Sequence, residues 1–209
     1  KGVILLTGPT GSGKSTTLFS ALNKLKDDSK NIITIEDPVE YRIPGINQIQ
    51  LNKKINFDFP NALKSILRQD PDIIMVGEIR DKNTASIAIR AALTGHLVLT
   101  TLHTNDAVSS IIRLIDMGIP SYLVAAAVKG VVAQRLVRRI CDNCKQKYLL
   151  SEKDKRMYSY LNEIKKIYKG KKCEKCHKTG YSGRIAIHEI LVIDNQIQKM
   201  IGNNINERN

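Results

Sequence analysis

The nine residues from Gly8 to Thr16, GPTGSGKST, constrain this chain more than any other stretch. They match the pattern G-x-x-x-x-G-K-[S/T] of the phosphate-binding loop. The apolar residues 3–7 before the motif predict a buried strand, and residues 16–25 after it predict a helix with one apolar face. The motif therefore stands between a strand and a helix, which is the context that phosphate binding needs.

This loop predicts a nucleotide site. Its glycines let the backbone turn so that N–H groups point at phosphate oxygens, and the helix N terminus adds partial positive charge. Lys14 is predicted to reach the β- and γ-phosphates, and the Ser15 hydroxyl to ligate Mg²⁺. A chance match in a glycine-rich turn is the alternative, and the flanking elements argue against it. The predicted ATP-binding residues are Gly8, Pro9, Thr10, Gly11, Ser12, Gly13, Lys14, Ser15 and Thr16.

Three carboxylates, those of Glu36, Asp37 and Glu40, follow the apolar residues 31–35, which are predicted to form the second strand. In parallel α/β sheets, the loops after the C-terminal ends of the strands form the ligand crevice. Carboxylates in such a loop are candidates for holding Mg²⁺ or positioning the attacking water. An acidic loop that stops at Pro38 is the alternative interpretation.

Glu78 follows a third apolar segment, residues 73–76, and His103 follows a fourth, residues 97–101. A short apolar strand followed by an acid is typical of the second nucleotide motif, whose carboxylate orders Mg²⁺ or polarises water. His103 is predicted at the same edge of the sheet, where it could contact the γ-phosphate, although a single histidine is more often structural.

Strands alternate with helices through the first 140 residues, which predicts an α/β fold with a mostly parallel sheet covered by helices. Helices are predicted over residues 61–68, 82–93, 106–117 and 122–132, and a strand over 134–138. Residues 45–59 are predicted to be irregular. The prediction for residues 1–140 is a P-loop ATPase core.

Four cysteines form two C-x-x-C pairs, Cys141 with Cys144 and Cys173 with Cys176. Four thiolates in this pattern are the ligand set of a structural zinc site. Disulfides and redox chemistry are the alternatives; a reducing cytosol, where ATP is used, disfavours disulfides, and no thioredoxin-like pattern is present. The predicted zinc-binding module covers residues 141–178 and holds a helix over residues 157–168.

The chain carries a formal net charge of +13, and residues 138–178 hold 14 basic against 5 acidic side chains. This cluster is interpreted either as a solvated surface or as a contact for anionic lipid headgroups, nucleic acid or an acidic partner. No run of 18 apolar residues predicts a membrane span, and no signal peptide is evident. Residues 179–209 predict a strand and a helix that return to the core.

These motifs together resemble the secretion ATPases of type II secretion, type IV pilus assembly and DNA-uptake systems. The phosphate loop, the acidic segment at 35–40, the segment at 68–81 and the histidine segment at 94–105 each match the family pattern. So do QRLVR at 134–138 and both cysteine pairs. The resemblance covers essentially the whole chain.

The resemblance implies a RecA-like core that forms a homo-hexamer, with ATP near subunit boundaries. Glu36 would polarise the attacking water with Glu40 nearby, Glu78 would organise Mg²⁺, and His103 would sense the γ-phosphate. His96 is a weaker candidate for the same role. Charge-stabilising arginines would come from Arg80, Arg90 and Arg113.

The resemblance also implies a cytoplasmic motor, with ATP, Mg²⁺ and structural Zn²⁺ as its cofactors, that works on inner-membrane platform or docking proteins. The cysteine module favours assembly or secretion over pilus retraction. Because the chain opens two residues before a core strand and ends in a polar run, we expect it to be cut from a longer protein. A nucleic-acid motor and a docking module that binds nucleotide without hydrolysis are the competing functions; nucleic acid is the less favoured partner.

Overall fold

The computed structural model describes residues 1–150, residue 156 and residues 167–203. The chain divides into two compact units. The first, here called the core unit, comprises Lys1–Arg135 and His188–Asn209, and the second, the cysteine unit, comprises Leu136–Ile187. The predicted division at residues 140 and 178 stays a prediction.

Nine strands and six α-helices make up the described parts of the chain. The strands are β1 (Gly2–Thr7), β2 (Ile32–Glu36), β3 (Asn47–Gln50), β4 (Ile73–Val76), β5 (Leu97–Leu102), β6 (Val128–Ile140), β7 (Lys145–Tyr148), β8 (Ile167–Gly170) and β9 (Tyr181–Val192). The helices are α1 (Lys14–Leu25), α2 (Phe59–Ile66), α3 (Lys82–Leu93), α4 (Ala107–Asp116), α5 (Ser121–Ala127) and α6 (Asn195–Asn203), with short 3-10 turns at Lys53–Ile55 and Glu174–Cys176.

One sheet organises the core unit, with strand order β3-β2-β4-β5-β1-β6-β9. The pairs from β3 to β6 along this order are all parallel. Parallel strands are covered on both faces, which explains why β2 and β4 are buried at every residue. The predicted α/β class with a mostly parallel sheet is confirmed.

Successive side chains of each strand point to opposite faces of the sheet, so the buried residues form one cluster on each face. On one face α1 packs through Leu18, Phe19 and Leu22 against Ile32 and Met75. On the other face a larger cluster joins the helices that follow β3 to the opposite side chains of the same strands, such as Ile33 and Ile74. The sheet therefore presents all of its parallel strand ends, and the loops that leave them, at one edge.

Aspartates begin three of the helices. The carboxylates of Asp58, Asp81 and Asp106 accept hydrogen bonds from the backbone N–H groups of the third residue beyond, which is the N-cap arrangement. Asp81 and Asp106 thus fix where the chain turns back after β4 and β5.

The cysteine unit has almost no apolar core in its described residues. Its small sheet pairs β7 with β8 antiparallel, from Lys145 opposite Gly170 to Tyr148 opposite Ile167. The buried side chains of its described part are those of Cys141 and Cys176. Among the described residues of this unit, the buried side chains are therefore cysteines rather than aliphatic residues.

Three predicted elements differ from the structure. The helix predicted over residues 122–132 ends at Ala127, because the β-branched residues from Val128 onward hydrogen-bond to β1 as a buried strand. Residues 47–50, predicted to be irregular, form β3 beside β2. Of the helix predicted over residues 157–168, residues 157–166 lie outside the described part of the chain. Its last two residues, 167 and 168, belong to β8.

No helix within the described ranges is long and apolar enough to cross a bilayer.

Candidate nucleotide site and metal centre

The loop between β1 and α1 owes its shape to glycine. Gly8, Gly11 and Gly13 have φ angles of 141°, 76° and 86°, in the region that side chains other than glycine rarely adopt. A Cβ atom on Gly8 would lie 2.3 Å from the carbonyl oxygen of Gln134, so this position also needs glycine for close approach. Helix α1 begins directly after Gly13.

Lys14 is held by the loop itself. Its Nζ donates hydrogen bonds to the carbonyl oxygens of Gly8 at 2.8 Å and Pro9 at 3.1 Å. Burial lowers the pKa of Lys14, and the charge of Glu78 partly opposes that decrease. An ammonium that has already lost much of its hydration binds an anion at lower desolvation cost.

The Ser12 hydroxyl is buried and, within the described residues, has no hydrogen-bond partner. Ser15 and Thr16, by contrast, are exposed at the start of α1. The hydroxyl predicted to ligate Mg²⁺ is therefore accessible from solvent.

Glu36 is buried at the C-terminal end of β2. Its Oε1 accepts hydrogen bonds from the Thr34 hydroxyl at 2.5 Å and from Nε2 of Gln48 at 3.1 Å. Strand alternation places this carboxylate on the α1 face of the sheet. Asp37 and Glu40 lie in the loop beyond and are exposed, so of the three predicted carboxylates Glu36 is the most firmly held.

Glu78 joins two further predicted residues. Its Oε1 lies 2.5 Å from Arg80 and its Oε2 lies 3.4 Å from Nε2 of His103. The hydrogen bond from Arg80 to Glu78 raises the pKa of the guanidinium. These three side chains, with Arg113, line a pocket of about 280 Å³.

Two residues predicted near the phosphates lie elsewhere. His96 precedes β5 whereas His103 follows it, so the two histidines stand at opposite edges of the sheet. Nδ1 of His96 is 2.8 Å from the carbonyl oxygen of Ala91, at the C-terminal end of α3. Arg90 lies in the last turn of the same helix. Within this chain β5 therefore separates His96 from the phosphate loop, and its role at the γ-phosphate stays a prediction.

A hydrogen-bonded group behind the loop was not predicted from the sequence. The Gln134 side chain bonds to Thr17, to the Ser12 carbonyl and to His188. Its signals in the sequence are a polar residue that ends the apolar segment Val131–Ala133 of β6 and its place in the segment QRLVR at 134–138.

The four cysteines converge in the cysteine unit. Their sulfur atoms all lie within 4.8 Å of one another, and three of the separations are 3.8–3.9 Å. A tetrahedral zinc with bonds of about 2.3 Å requires sulfur atoms about 3.8 Å apart. The donor set and its spacing therefore fit Zn²⁺, and His177 is outside the set.

Backbone and amide donors surround these sulfurs. Nδ2 of Asn143 donates to Sγ of Cys173 at 3.3 Å, and the N–H of Gly180 donates to Sγ of Cys176 at 3.2 Å. The Asn143 hydrogen bond lowers the pKa of Cys173 to about 6. Such donors stabilise thiolates and orient metal ligands.

The arrangement of the core unit defines a P-loop nucleoside-triphosphatase fold: a glycine-turned loop between β1 and α1, with acids and a histidine at neighbouring strand ends. The family model described as "Type II/IV secretion system protein" matches residues 1–209. The chain belongs to this family.

Named relatives agree with this family assignment. The chain is 54% identical over 200 residues to the type II secretion system protein HxcR of Pseudomonas aeruginosa, covering 96% of this chain and 39% of that protein. It is 54% identical over 204 residues to the type IV pilus assembly ATPase PilB of Thermus thermophilus, covering 96% of this chain and 23% of that protein. The crystal structure of the pilus retraction motor PilT with bound ADP has a TM-score of 0.72 at 33% identity, covering 98% of this chain and 51% of PilT.

The chain thus spans about a quarter to a half of the length of these relatives.

Proposed function

We propose that this chain is the nucleotide-hydrolysing part of a motor that uses ATP to power protein secretion or pilus assembly. The observation that carries the proposal is the convergence of the Lys14 loop, Glu36 and the Glu78–His103–Arg80 group at one edge of a parallel sheet. Phosphoryl transfer needs this combination of a phosphate cradle, metal-ordering acids and cations.

Each group has a proposed task. Residues 8–16 hold the triphosphate, with Lys14 on its β- and γ-phosphates. Ser15 and Glu78 would hold Mg²⁺, which supplies charge neutralisation at the transferring phosphate. Glu36, fixed by Thr34 and Gln48, would polarise the attacking water, assisted by Glu40.

The cations beside Glu78 have proposed tasks as well. His103, 3.4 Å from Glu78, would sense the γ-phosphate. Arg80 would stabilise the developing charge, and Arg113 lines the same pocket. A guanidinium exchanging between Glu78 and a phosphate would link the metal-ordering acid to the state of the nucleotide.

The cysteine unit is proposed to bind one structural Zn²⁺ through Cys141, Cys144, Cys173 and Cys176. The full set of four thiolates leaves no open coordination position for catalysis. The ligand set would stabilise the fold of this unit without taking part in hydrolysis.

We propose a cytoplasmic homo-hexamer that acts on platform or docking proteins at the inner membrane. The names of the relatives support a secretion or pilus machine; a DNA-uptake machine is the third candidate. Within its described residues the cysteine unit carries eleven Lys and Arg against two Asp and Glu. This charge supports contact with anionic lipid headgroups beside the membrane partners.

ATP hydrolysis by the full-length protein tests the proposal. We expect turnover to rise steeply with protein concentration, as a site completed by oligomerisation requires. Lys14→Ala should lose both binding and turnover, whereas Glu78→Gln should bind ATP and lose turnover by about 100-fold or more. Turnover that is unchanged in both variants would refute it.

The two competing functions have distinct signatures. A nucleic-acid motor would show hydrolysis stimulated by DNA and not by membrane partners. A docking module that does not hydrolyse ATP would leave the secretion or pilus system working in the Glu78→Gln strain.

A further inference from the structure

The side chain of Gln134 contacts the phosphate loop from behind. Its Nε2 donates to the carbonyl oxygen of Ser12 at 2.7 Å, and its Oε1 accepts from the hydroxyl of Thr17 at 2.7 Å. Its backbone oxygen is the atom that a Cβ on Gly8 would strike. One residue of β6 therefore contacts the beginning and the middle of the loop and the first turn of α1.

A second strand completes this group. Nε2 of His188, on β9, lies 3.1 Å from Oε1 of Gln134. The Ser12 carbonyl can only accept, so the amide nitrogen of Gln134 must face it and the amide oxygen must face Thr17 and His188. Because that oxygen can only accept, His188 carries its proton on Nε2 and donates.

Gln134 is 2% exposed, so water has little access to its amide when a partner is lost. A buried amide held at both ends has one orientation, and that orientation fixes the Ser12 carbonyl and the first turn of α1. The backbone N–H groups of this segment are the ones that the proposed function directs at phosphate.

The pair also stands at a defined place in the chain. Gln134 is the penultimate residue of the first core-unit segment, and His188 is the first residue of the returning segment. Next to it, Oε1 of Glu189 accepts a long hydrogen bond, 3.4 Å, from the N–H of Ala107 at the start of α4. Neighbouring residues of β9 thus bond to Gln134, which contacts the phosphate loop, and to the helix that follows the His103 loop.

We propose that His188 and Gln134 are positioning residues that hold the phosphate loop in its binding conformation. Through them, nucleotide affinity depends on the hydrogen bond that joins β6 to β9 within the core unit. The effect on affinity rests on the proposed nucleotide binding; the effect on the loop does not.

Three variants of the full-length protein separate the hydrogen bond from packing. His188→Phe keeps a ring but has no donor, and His188→Gln keeps an N–H donor of similar reach. Ile190→Ala, at a residue of β9 that is 67% exposed, is the control. None of these positions belongs to the proposed catalytic machinery.

The first readout is hydrogen exchange of the peptide covering residues 8–17 in nucleotide-free protein. We expect exchange about fivefold faster in His188→Phe, as the loss of one partly buried hydrogen bond predicts. His188→Gln and Ile190→Ala should match the wild-type protein. Equal exchange in all four proteins, or equal acceleration in the Phe and Gln variants, would overturn the proposal.

The second readout is MgATP affinity with turnover of the bound complex. His188→Phe should weaken binding about fivefold, about 1 kcal/mol, with kcat within about twofold of wild type. A fall in kcat at unchanged affinity would contradict a positioning role. If the wild-type protein bound no MgATP, the proposed function would fail, while the exchange of residues 8–17 would still decide the role of His188.

Discussion

Different interactions stabilise each of the two units of this chain. The core unit buries aliphatic side chains on both faces of a sheet, and its candidate site lies where the parallel strands end. In the described part of the cysteine unit, Cys141 and Cys176 are the buried side chains, and the four sulfurs occupy its centre. Aliphatic burial stabilises the core unit without a ligand, whereas the described part of the cysteine unit offers a set of metal ligands in place of buried aliphatic side chains.

This difference assigns separate tasks to the two sites. The strand ends place Glu36, Glu78 and His103 through a rigid sheet, so chemistry there needs no contribution from the cysteines. The four thiolates, by contrast, position no residue of the nucleotide site. Changes in one unit should therefore leave the site of the other largely intact.

The largest expected effect is loss of zinc. Cys173→Ser removes one of four ligands and should unfold the cysteine unit, since structural zinc supplies about 10–16 kcal/mol of apparent binding free energy in small zinc domains. Zinc content by atomic absorption and exchange of the residues around the cysteines would measure it. His177→Ala is the matched control, because His177 lies beside Cys176 but outside the sulfur cluster. Zinc lost equally in both variants would mean that the ligand set is misassigned.

The next effect concerns the acids of the core unit. Glu36→Gln should lower kcat by about 100-fold, because the carboxylate held by Thr34 and Gln48 would no longer polarise water. Glu40→Gln, at an exposed position, should lower kcat by less than about fivefold. Single-turnover hydrolysis at saturating MgATP compares the two. A larger loss of kcat in Glu40→Gln than in Glu36→Gln would mean that Glu40, rather than Glu36, polarises the attacking water.

The glycines of the loop give a matched pair with a smaller effect. Gly8→Ala sets a Cβ against the Gln134 carbonyl and should weaken MgATP binding by tenfold or more, about 1.4 kcal/mol. Gly11→Ala meets no atom within 4 Å, so only its positive φ opposes the change, at about 1 kcal/mol of loop strain. Equilibrium titration with a fluorescent ATP analogue would distinguish them. Tighter binding by Gly8→Ala than by Gly11→Ala would contradict the close approach of β6.

The smallest effect lies in the framework of the core unit. Asp81→Ala removes the N-cap of α3 and should cost about 1 kcal/mol of the free energy of unfolding. Asp81→Asn, which keeps a capping oxygen, should lower the free energy of unfolding by only about a few tenths of a kcal/mol. Urea unfolding followed by far-UV circular dichroism would give both values. Because Asp81 belongs to the core unit, zinc content should be the same in both variants; a change in zinc would break the proposed independence.

Local patterns in the sequence were enough to predict the fold class and the strand-end positions of the candidate residues. The phosphate loop, the strand Ile73–Val76 and the caps at Asp81 and Asp106 depend on neighbours in sequence, so they were predictable. The start of β6 at Val128 was not, because the pairing of that segment with β1 decides between helix and strand.

The same reason explains what was missed or misplaced in the sites. His188 meets Gln134 across 54 residues of chain, and no local pattern encodes that contact. His96 and His103 are both close to β5 in sequence, and only the direction of the strand separates them. The cysteine cluster was predictable because the C-x-x-C spacing itself forms each half of the site.

Independence of the two units is most directly tested by measuring MgATP affinity of the full-length Glu78→Gln protein before and after chelation of zinc. Hydrogen exchange on the same samples reports which residues lose protection. We predict that the residues around the four cysteines lose protection while affinity changes by less than about threefold, under 0.7 kcal/mol. Loss of affinity in parallel with loss of zinc would contradict the account, because the nucleotide site would then depend on the metal.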